Sequence, residues 1–200
     1  MADHHGVRIV TILGTTRPGN YTSKALALVN DEIAMRDGIA LDVIDPAGMN
    51  LAAPGAVTAD GEALAEIVSK ATGVIFATPE YHGTYASVAK LIIENLGFPS
   101  VLAGKPVALV GVAAGQIGAI KALEHLRSVL SHVGAIVLPG PVSVAGVRAV
   151  FDEDGTCTDE ATERRLRRVA DNMIDYIRAN ICPRVALEQM VREELARRAA

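Results

Sequence analysis

Tryptophan is absent from this chain, and the aromatic residues amount to three phenylalanines and four tyrosines. Base-stacking platforms need such rings, and phosphate backbones need a basic surface. Here the formal net charge is −4, so nucleic acid is excluded as a partner. No apolar run approaches the roughly 18 residues that cross a bilayer, so no membrane association is expected. The opening residues Met1-Ala2-Asp3-His4-His5 are polar and lack the apolar stretch of a signal peptide. Cysteine occurs only at Cys157 and Cys182, with no metal-ligand spacing. Reduced thiols and a cytoplasmic location are expected, one disulfide being the alternative. No metal site is expected, because His82 has no second ligand at a useful spacing. Ser87 and Ser143 lack a His–Asp partnership, and no catalytic residue is assigned. Repeats and low-complexity segments are missing too.

Two familiar phosphate loops are also missing. The segment Gly14-Thr15-Thr16-Arg17-Pro18-Gly19-Asn20-Tyr21-Thr22-Ser23 follows a β-type run, Val7–Leu13, and leads into a helical pattern. A nucleoside-triphosphate loop needs Lys-Ser or Lys-Thr after its second glycine, where this chain has Asn20-Tyr21. A dinucleotide fingerprint needs a glycine where Thr16 stands. What remains is a strand-to-helix loop stocked with hydroxyls and one arginine. Unpaired N–H groups and the helix dipole make such a place a natural anion site. The loop reads as a cradle for a single terminal phosphate, or else as an ordinary hydroxyl-capped turn.

Strand and helix patterns alternate along the chain. Strands are expected at Val7–Leu13, Ile39–Ile44, Gly73–Ala77, Lys105–Ala113 and Ala135–Leu138. Helices are expected at 23–36, 61–71, 85–96, 117–132 and from Thr158 or Asp159 to about Ala179. Val142–Phe151 reads as extended. Pro183 is expected to break the last core helix, leaving an amphipathic tail helix over Val185–Arg198. Residues 1–180 thus form one expected domain and 181–200 a C-terminal tail. Five strands alternating with helices imply an α/β fold, a doubly wound five-stranded parallel sheet of order 2-1-3-4-5 in three α/β/α layers. Ligands of such sheets bind where the strand order reverses, so the loops after strands 1, 3 and 4 should meet.

The loop after strand 3, Thr78-Pro79-Glu80-Tyr81-His82-Gly83-Thr84-Tyr85, gathers two aromatics, a histidine and a glycine. It suits the polar edge and the face of a planar heterocycle, or simply shapes a turn over half-buried tyrosines. Glu80 is either an exposed carboxylate, a general acid or base, or a residue that fixes this loop. The loop after strand 4, Ala113-Ala114-Gly115-Gln116-Ile117-Gly118, has small residues that leave room for a flat ligand. His125 and His132, seven apart on one helix, read as helix-surface or interface residues.

These motifs together resemble the NADPH-dependent FMN reductase family of flavodoxin-like flavoproteins. Gly14-Thr15-Thr16-Arg17 with Thr22-Ser23 is similar to the family's G-[ST]-x-R loop and its later serine. Thr78 to Tyr85 is similar to its T-P-E-Y-N-G-S-Y-P segment, with His82 in place of the usual Asn and Ala86-Ser87 where Pro-Gly is frequent. Leu102 to Val107, Gly115 to Gly118, Leu126 to Leu130 and Phe151 to Gly155 continue the likeness, which spans about residues 7–180. The resemblance implies that the FMN phosphate lies at Thr15, Thr16, Arg17, Asn20, Tyr21, Thr22 and Ser23. Arg17 is equally suited to the 2′-phosphate of NADPH. It implies that Pro79, Glu80, Tyr81, His82 and Gly83 line the isoalloxazine, with Ala114, Gly115 and Gln116 on its other side.

The implied activity passes a hydride from NADPH to the flavin N5 and then electrons to a second acceptor by ping-pong. Free flavin, destined for a flavin-dependent monooxygenase, a quinone or another small oxidant would serve as acceptor. A homo-oligomer, dimer or tetramer, is expected from Leu187, Met190, Val191 and Leu195 at helical spacing in the tail, or else the tail packs on its own body. Two rival functions remain at this stage: an FMN electron carrier that does not use NADPH, and a non-catalytic regulator binding another phosphate ligand.

Overall fold

The computed structural model describes residues 6–199, so the expectation for Met1 to His5 lies outside the described residues. Seven strands form one sheet: β1 (Val7–Leu13), β2 (Ile39–Ile44), β3 (Gly73–Tyr81), β4 (Thr84–Tyr85), β5 (Pro106–Val112), β6 (Ile136–Val137) and β7 (Val142–Val144). The helices are α1 (Tyr21–Ala34), α2 (Ala59–Ser69), α3 (Ser87–Glu94), α4 (Ile120–His132), α5 (Glu160–Tyr176) and α6 (Cys182–Ala199). The main path of the sheet runs β2-β1-β3-β5-β6, all parallel. This is the doubly wound order expected from the alternation. The reversal lies between β1 and β3, and the carboxyl ends there open the crevice.

Strand alternation divides the core into two layers. Ile9, Leu13, Ile75 and Val110 face α1 and α5, where they meet Leu26, Val29, Leu166 and Met173. Val10, Ile12, Val74, Phe76 and Leu109 face α2, α3 and α4, against Leu64, Val68, Ile92 and Leu126. The period of two sends neighbours to opposite faces, and both faces are covered, so the strands read as continuous apolar runs. Each fully buried aliphatic side chain stabilises by about 1.5–3 kcal/mol.

Several elements differ from the sequence expectation, the helix expected from Tyr85 among them: it starts at Ser87, and Tyr85 belongs to β4. β3 runs on to Tyr81 rather than ending at Ala77, because Pro79 keeps parallel register with Val112 of β5. Segment 78–85 is therefore not a free loop. It is a strand end that folds back through His82-Gly83 into β4, antiparallel, with Tyr81 opposite Thr84. The long central helix starts at Ile120 rather than Ile117, since Gly118 takes φ +80 and ends any helical path before it. The fifth sheet position is shared: β6 pairs with the start of β5 and β7 with its end, with Leu138-Pro139-Gly140-Pro141 between them. Beyond β7, Val147–Ala149 makes a 3₁₀ turn where extended chain was expected.

Pro183 does not break the last helix. A π-helical turn over Ile177–Ile181 links α5 to α6 without interruption. Pro183 has no N–H to offer the carbonyl four residues earlier, and the wider turn accommodates that missing bond. From Cys182 to Arg197 every side chain is exposed, including Leu187, Met190, Val191 and Leu195. Among the described residues, no helix is long and apolar enough to cross a membrane, and no three His, Cys, Asp or Glu side chains cluster as a metal site. Both cysteines are free thiols.

Candidate functional site

The site begins at the end of β1. Gly14 donates its N–H to the Ala77 carbonyl at 2.7 Å, and a Cβ there would lie 2.7 Å from that same oxygen. Its role is thus to let the β1 exit lie close against β3. Thr15 is buried, and its Oγ1 accepts the Arg17 N–H at 3.3 Å. Asn20 caps α1: its Oδ1 accepts the Ser23 N–H at 2.7 Å, and its Nδ2 donates to the Arg17 carbonyl at 2.8 Å. The Ser23 hydroxyl donates back to the Asn20 carbonyl at 2.7 Å. Those bonds tie the loop to the helix it introduces.

Thr22 behaves differently from its neighbour. It is 1 % exposed, and its Oγ1 has no hydrogen-bond partner. A buried hydroxyl without a partner costs about 1–3 kcal/mol. No carboxylate occupies the first turn of α1, whereas α2 and α5 carry Asp60, Glu62, Glu160 and Glu163 in theirs. The N-terminus of α1 therefore keeps its positive dipole end uncompensated.

Three strand ends converge on one cavity of about 480 Å³. Arg17 to Thr22 line it from the β1–α1 loop, Pro79 to Tyr81 from the end of β3, and Val112 to Ala114 from the end of β5. Val147 and Arg148 also line it. A second cavity of about 360 Å³ adjoins it through Glu80, Ala113 and Ala114, and is completed by His82, Gly83 and Gly115 to Gly118. Thr15, Thr16 and Ser23 line neither: Thr16 is exposed, and the other two are engaged in the loop's own bonds.

The outer wall is a tight hairpin. His82 and Gly83 take φ +51 and +77, the two positive values that a two-residue primed turn demands. Glu80 is pinned rather than free, its Oε2 accepting the Ala122 N–H at 3.1 Å in the first turn of α4. That helix has no side-chain cap of its own, so Glu80 supplies the missing acceptor and a favourable charge. A hydrogen bond of 3.0 Å joins His125 Nδ1 to Thr84 Oγ1, so α4 also grips β4. Tyr85 packs against Ala113, Ala119 and Ala122, and burial pushes its hydroxyl above the ordinary value.

The inner wall is strapped to the segment after β7. Ala113 donates its N–H to the Val144 carbonyl at 2.9 Å, and Val147 donates to the Ala113 carbonyl at 3.1 Å. Gly146 donates to the Gly115 carbonyl at 3.0 Å, while the Gln116 amide packs over Gly146. Ser143 Oγ accepts the Ala119 N–H at 2.8 Å. The loop after β5 is therefore held by side chains and backbone of the β7 exit. Val147 and Arg148 are lining residues from beyond β7 that sequence reasoning missed. Gly146, at φ +54, starts the 3₁₀ turn that brings Arg148 round, and the extended pattern of Val142–Phe151 does not announce that turn.

The residues fit an FMN-sized ligand on three grounds. An orphaned hydroxyl and an uncompensated helix N-terminus suit a phosphate, the cavity is roomy enough for a flat ring, and small residues at Ala113 to Gly115 leave one wall open.

Comparison with known proteins agrees. Residues 7–148 match the model of the family described as NADPH-dependent FMN reductase. An NAD(P)H-dependent FMN reductase of Pseudomonas aeruginosa is 29% identical over 174 residues, covering 81% of this chain and 90% of that protein. A quinone reductase of Escherichia coli K12 is 31% identical over 172 residues, covering 78% of this chain and 87% of that one. Among solved structures, the flavoenzyme NAD(P)H:(acceptor) oxidoreductase of Paracoccus denitrificans superposes with a TM-score of 0.74 at 22% identity, over 86% of this chain and 98% of that one. The chain belongs to the NADPH-dependent FMN reductase family, oxidoreductases built around FMN and a nicotinamide coenzyme.

Proposed function

We propose that this chain is an NAD(P)H-dependent reductase that binds FMN at the joined cavities and delivers electrons to a small oxidised acceptor, a quinone or free flavin. The observation that carries this reading is the meeting of the α1 N-terminus, the unpartnered Thr22 hydroxyl and the ends of β3 and β5 at one cavity. Bound FMN would supply the two-electron chemistry, taking reducing equivalents from NAD(P)H and passing them on by a ping-pong sequence.

The protein's residues hold and orient. Thr22 Oγ1 and the first N–H groups of α1 would hold the phosphate, with Arg17, Asn20 and Tyr21 around it. Thr15 fixes the Arg17 backbone, and the Asn20–Ser23 cap fixes the helix start. Pro79 to Gly83 would lie along the ring, their hairpin held by Glu80 and His125. Ala114, Gly115 and Gln116 would close the opposite side. No side chain is needed as acid or base at the ring, because this chemistry belongs to the cofactor. Residues 1–180 are the reductase domain in this reading. Steady-state oxidation of NADPH and NADH, with FMN and a panel of quinone and flavin acceptors, tests it. Parallel double-reciprocal lines are expected, and no oxidation with any acceptor would overturn it.

Residues 181–200 serve assembly. A second copy of this chain is the proposed occupant of α6, because Leu187, Val191 and Leu195 recur at every fourth position as one exposed stripe on a helix that none of the body covers.

A further inference from the structure

We propose that Arg148 is a second phosphate-binding residue, acting with Arg17 on one phosphomonoester dianion in the larger cavity. The inference rests on the reductase reading above, and it adds a residue that the first loop does not contain. Arg17 and Arg148 line the same cavity from distant parts of the chain. Among the described residues neither guanidinium has an ion-pair partner, although most other arginines do. The one carboxylate in the lining, Glu80, is committed to the Ala122 N–H. Two positive side chains against one negative make the cavity cationic in a chain whose formal charge is −4.

The backbone brings Arg148 to the start of α1. The ring of Tyr21, the first residue of α1, lies tilted at 6.4 Å from that of Phe151, three positions beyond Arg148. Lys24 Nζ donates to the Asp152 carbonyl at 2.8 Å. The turn carrying Arg148 is anchored by buried Val147 and by the N–H bonds of Gly146 and Val147 to Gly115 and Ala113. Arg148 is thus a long exposed side chain on a fixed base, lining the same cavity as Arg17, the start of α1 and Thr22, whose hydroxyl is unpartnered. A phosphomonoester with two negative charges matches two guanidiniums, each able to bond it in fork geometry. Two ligands of this family carry that group: FMN at its ribityl end and NADPH at its 2′ position.

Arg148 is exposed and without an ion pair, so R148A should leave the fold intact, which a thermal melt checks. The flavin arm titrates apo wild type, R148A and R148K with FMN and with riboflavin, following flavin fluorescence. The coenzyme arm compares KM for NADPH and NADH. A third arm compares the Tm rise given by millimolar inorganic phosphate over chloride at matched ionic strength. If the flavin phosphate is the target, R148A weakens FMN at least about fivefold and riboflavin less than about twofold, with partial recovery in R148K. If the 2′-phosphate is the target, the KM for NADPH rises by a similar factor while that for NADH holds. In either case R148A loses part of the phosphate-induced Tm rise. An R148A protein that keeps FMN, NADPH and phosphate responses overturns the proposal, as does an equal loss for FMN and riboflavin together with an equal loss for NADPH and NADH. Wild-type protein that binds no flavin but shows the Arg148-dependent phosphate response refutes the reductase reading and leaves this one standing.

Discussion

Two adjacent hydroxyls, Thr22 and Ser23, look interchangeable in the sequence and are not in the structure. Ser23 Oγ donates to the Asn20 carbonyl, while Thr22 Oγ1 is buried with nothing to bond. The difference follows from Asn20 taking the capping role, which turns Ser23 inward to the cap. Removing an unsatisfied buried hydroxyl at constant shape relieves a penalty. Thr22→Val is therefore expected to keep or raise Tm while weakening FMN about five- to tenfold, a loss near 1 kcal/mol. Thermal unfolding of the apo protein beside a flavin titration checks this, and a fall in Tm would assign the hydroxyl to the fold. The residue types of the first loop were legible from the sequence, but the division of labour within it was not. Arg148 was illegible for another reason. Val142–Phe151 reads as extended, and nothing in its pattern marks which side chain a 3₁₀ turn will swing into a cavity.

At the level of elements, legibility followed the strength of the periodic signal. β1 and β2 begin and end where their apolar runs do, at Val7–Leu13 and Ile39–Ile44. The start of α5 follows from Asp159, whose Oδ1 accepts the Thr162 N–H at 2.8 Å. The β3 exit was harder, because Pro79 and Gly83 are turn-formers locally, and only the pairing with β5 and β4 makes strand of that stretch. The hairpin there carries its own prediction. A residue other than glycine at φ +51 is strained, and asparagine tolerates that region better than histidine or any β-branched residue. His82→Asn should stabilise by a few tenths of a kcal/mol, and His82→Val should destabilise by about 1–2 kcal/mol. Urea midpoints at unchanged m-value measure both. An equal effect of the two would mean that the turn is not what holds the wall of the second cavity.

At the level of the whole molecule, α6 stands apart. Its described side chains are exposed through Arg197, and isolated helices of this length are marginal in water. A chain ending at Ile181 should keep the Tm of its body and bind FMN within about twofold of the full chain, since none of the described α6 side chains lines either cavity. It should sediment as a monomer where the full chain sediments as a larger species. A truncated chain of unchanged size would move the interface to another surface, such as exposed Ile117 and Ile120. The divided fifth position of the sheet, at the edge away from β2, bears on the same question. Its two short pieces flank a pair of prolines, which have no amide hydrogen to lend a neighbour. A flat continuous border of that kind would invite strand-to-strand stacking of one molecule on the next. Here the border is notched, which blunts that side as a template for sheet-to-sheet zipping when the protein is crowded.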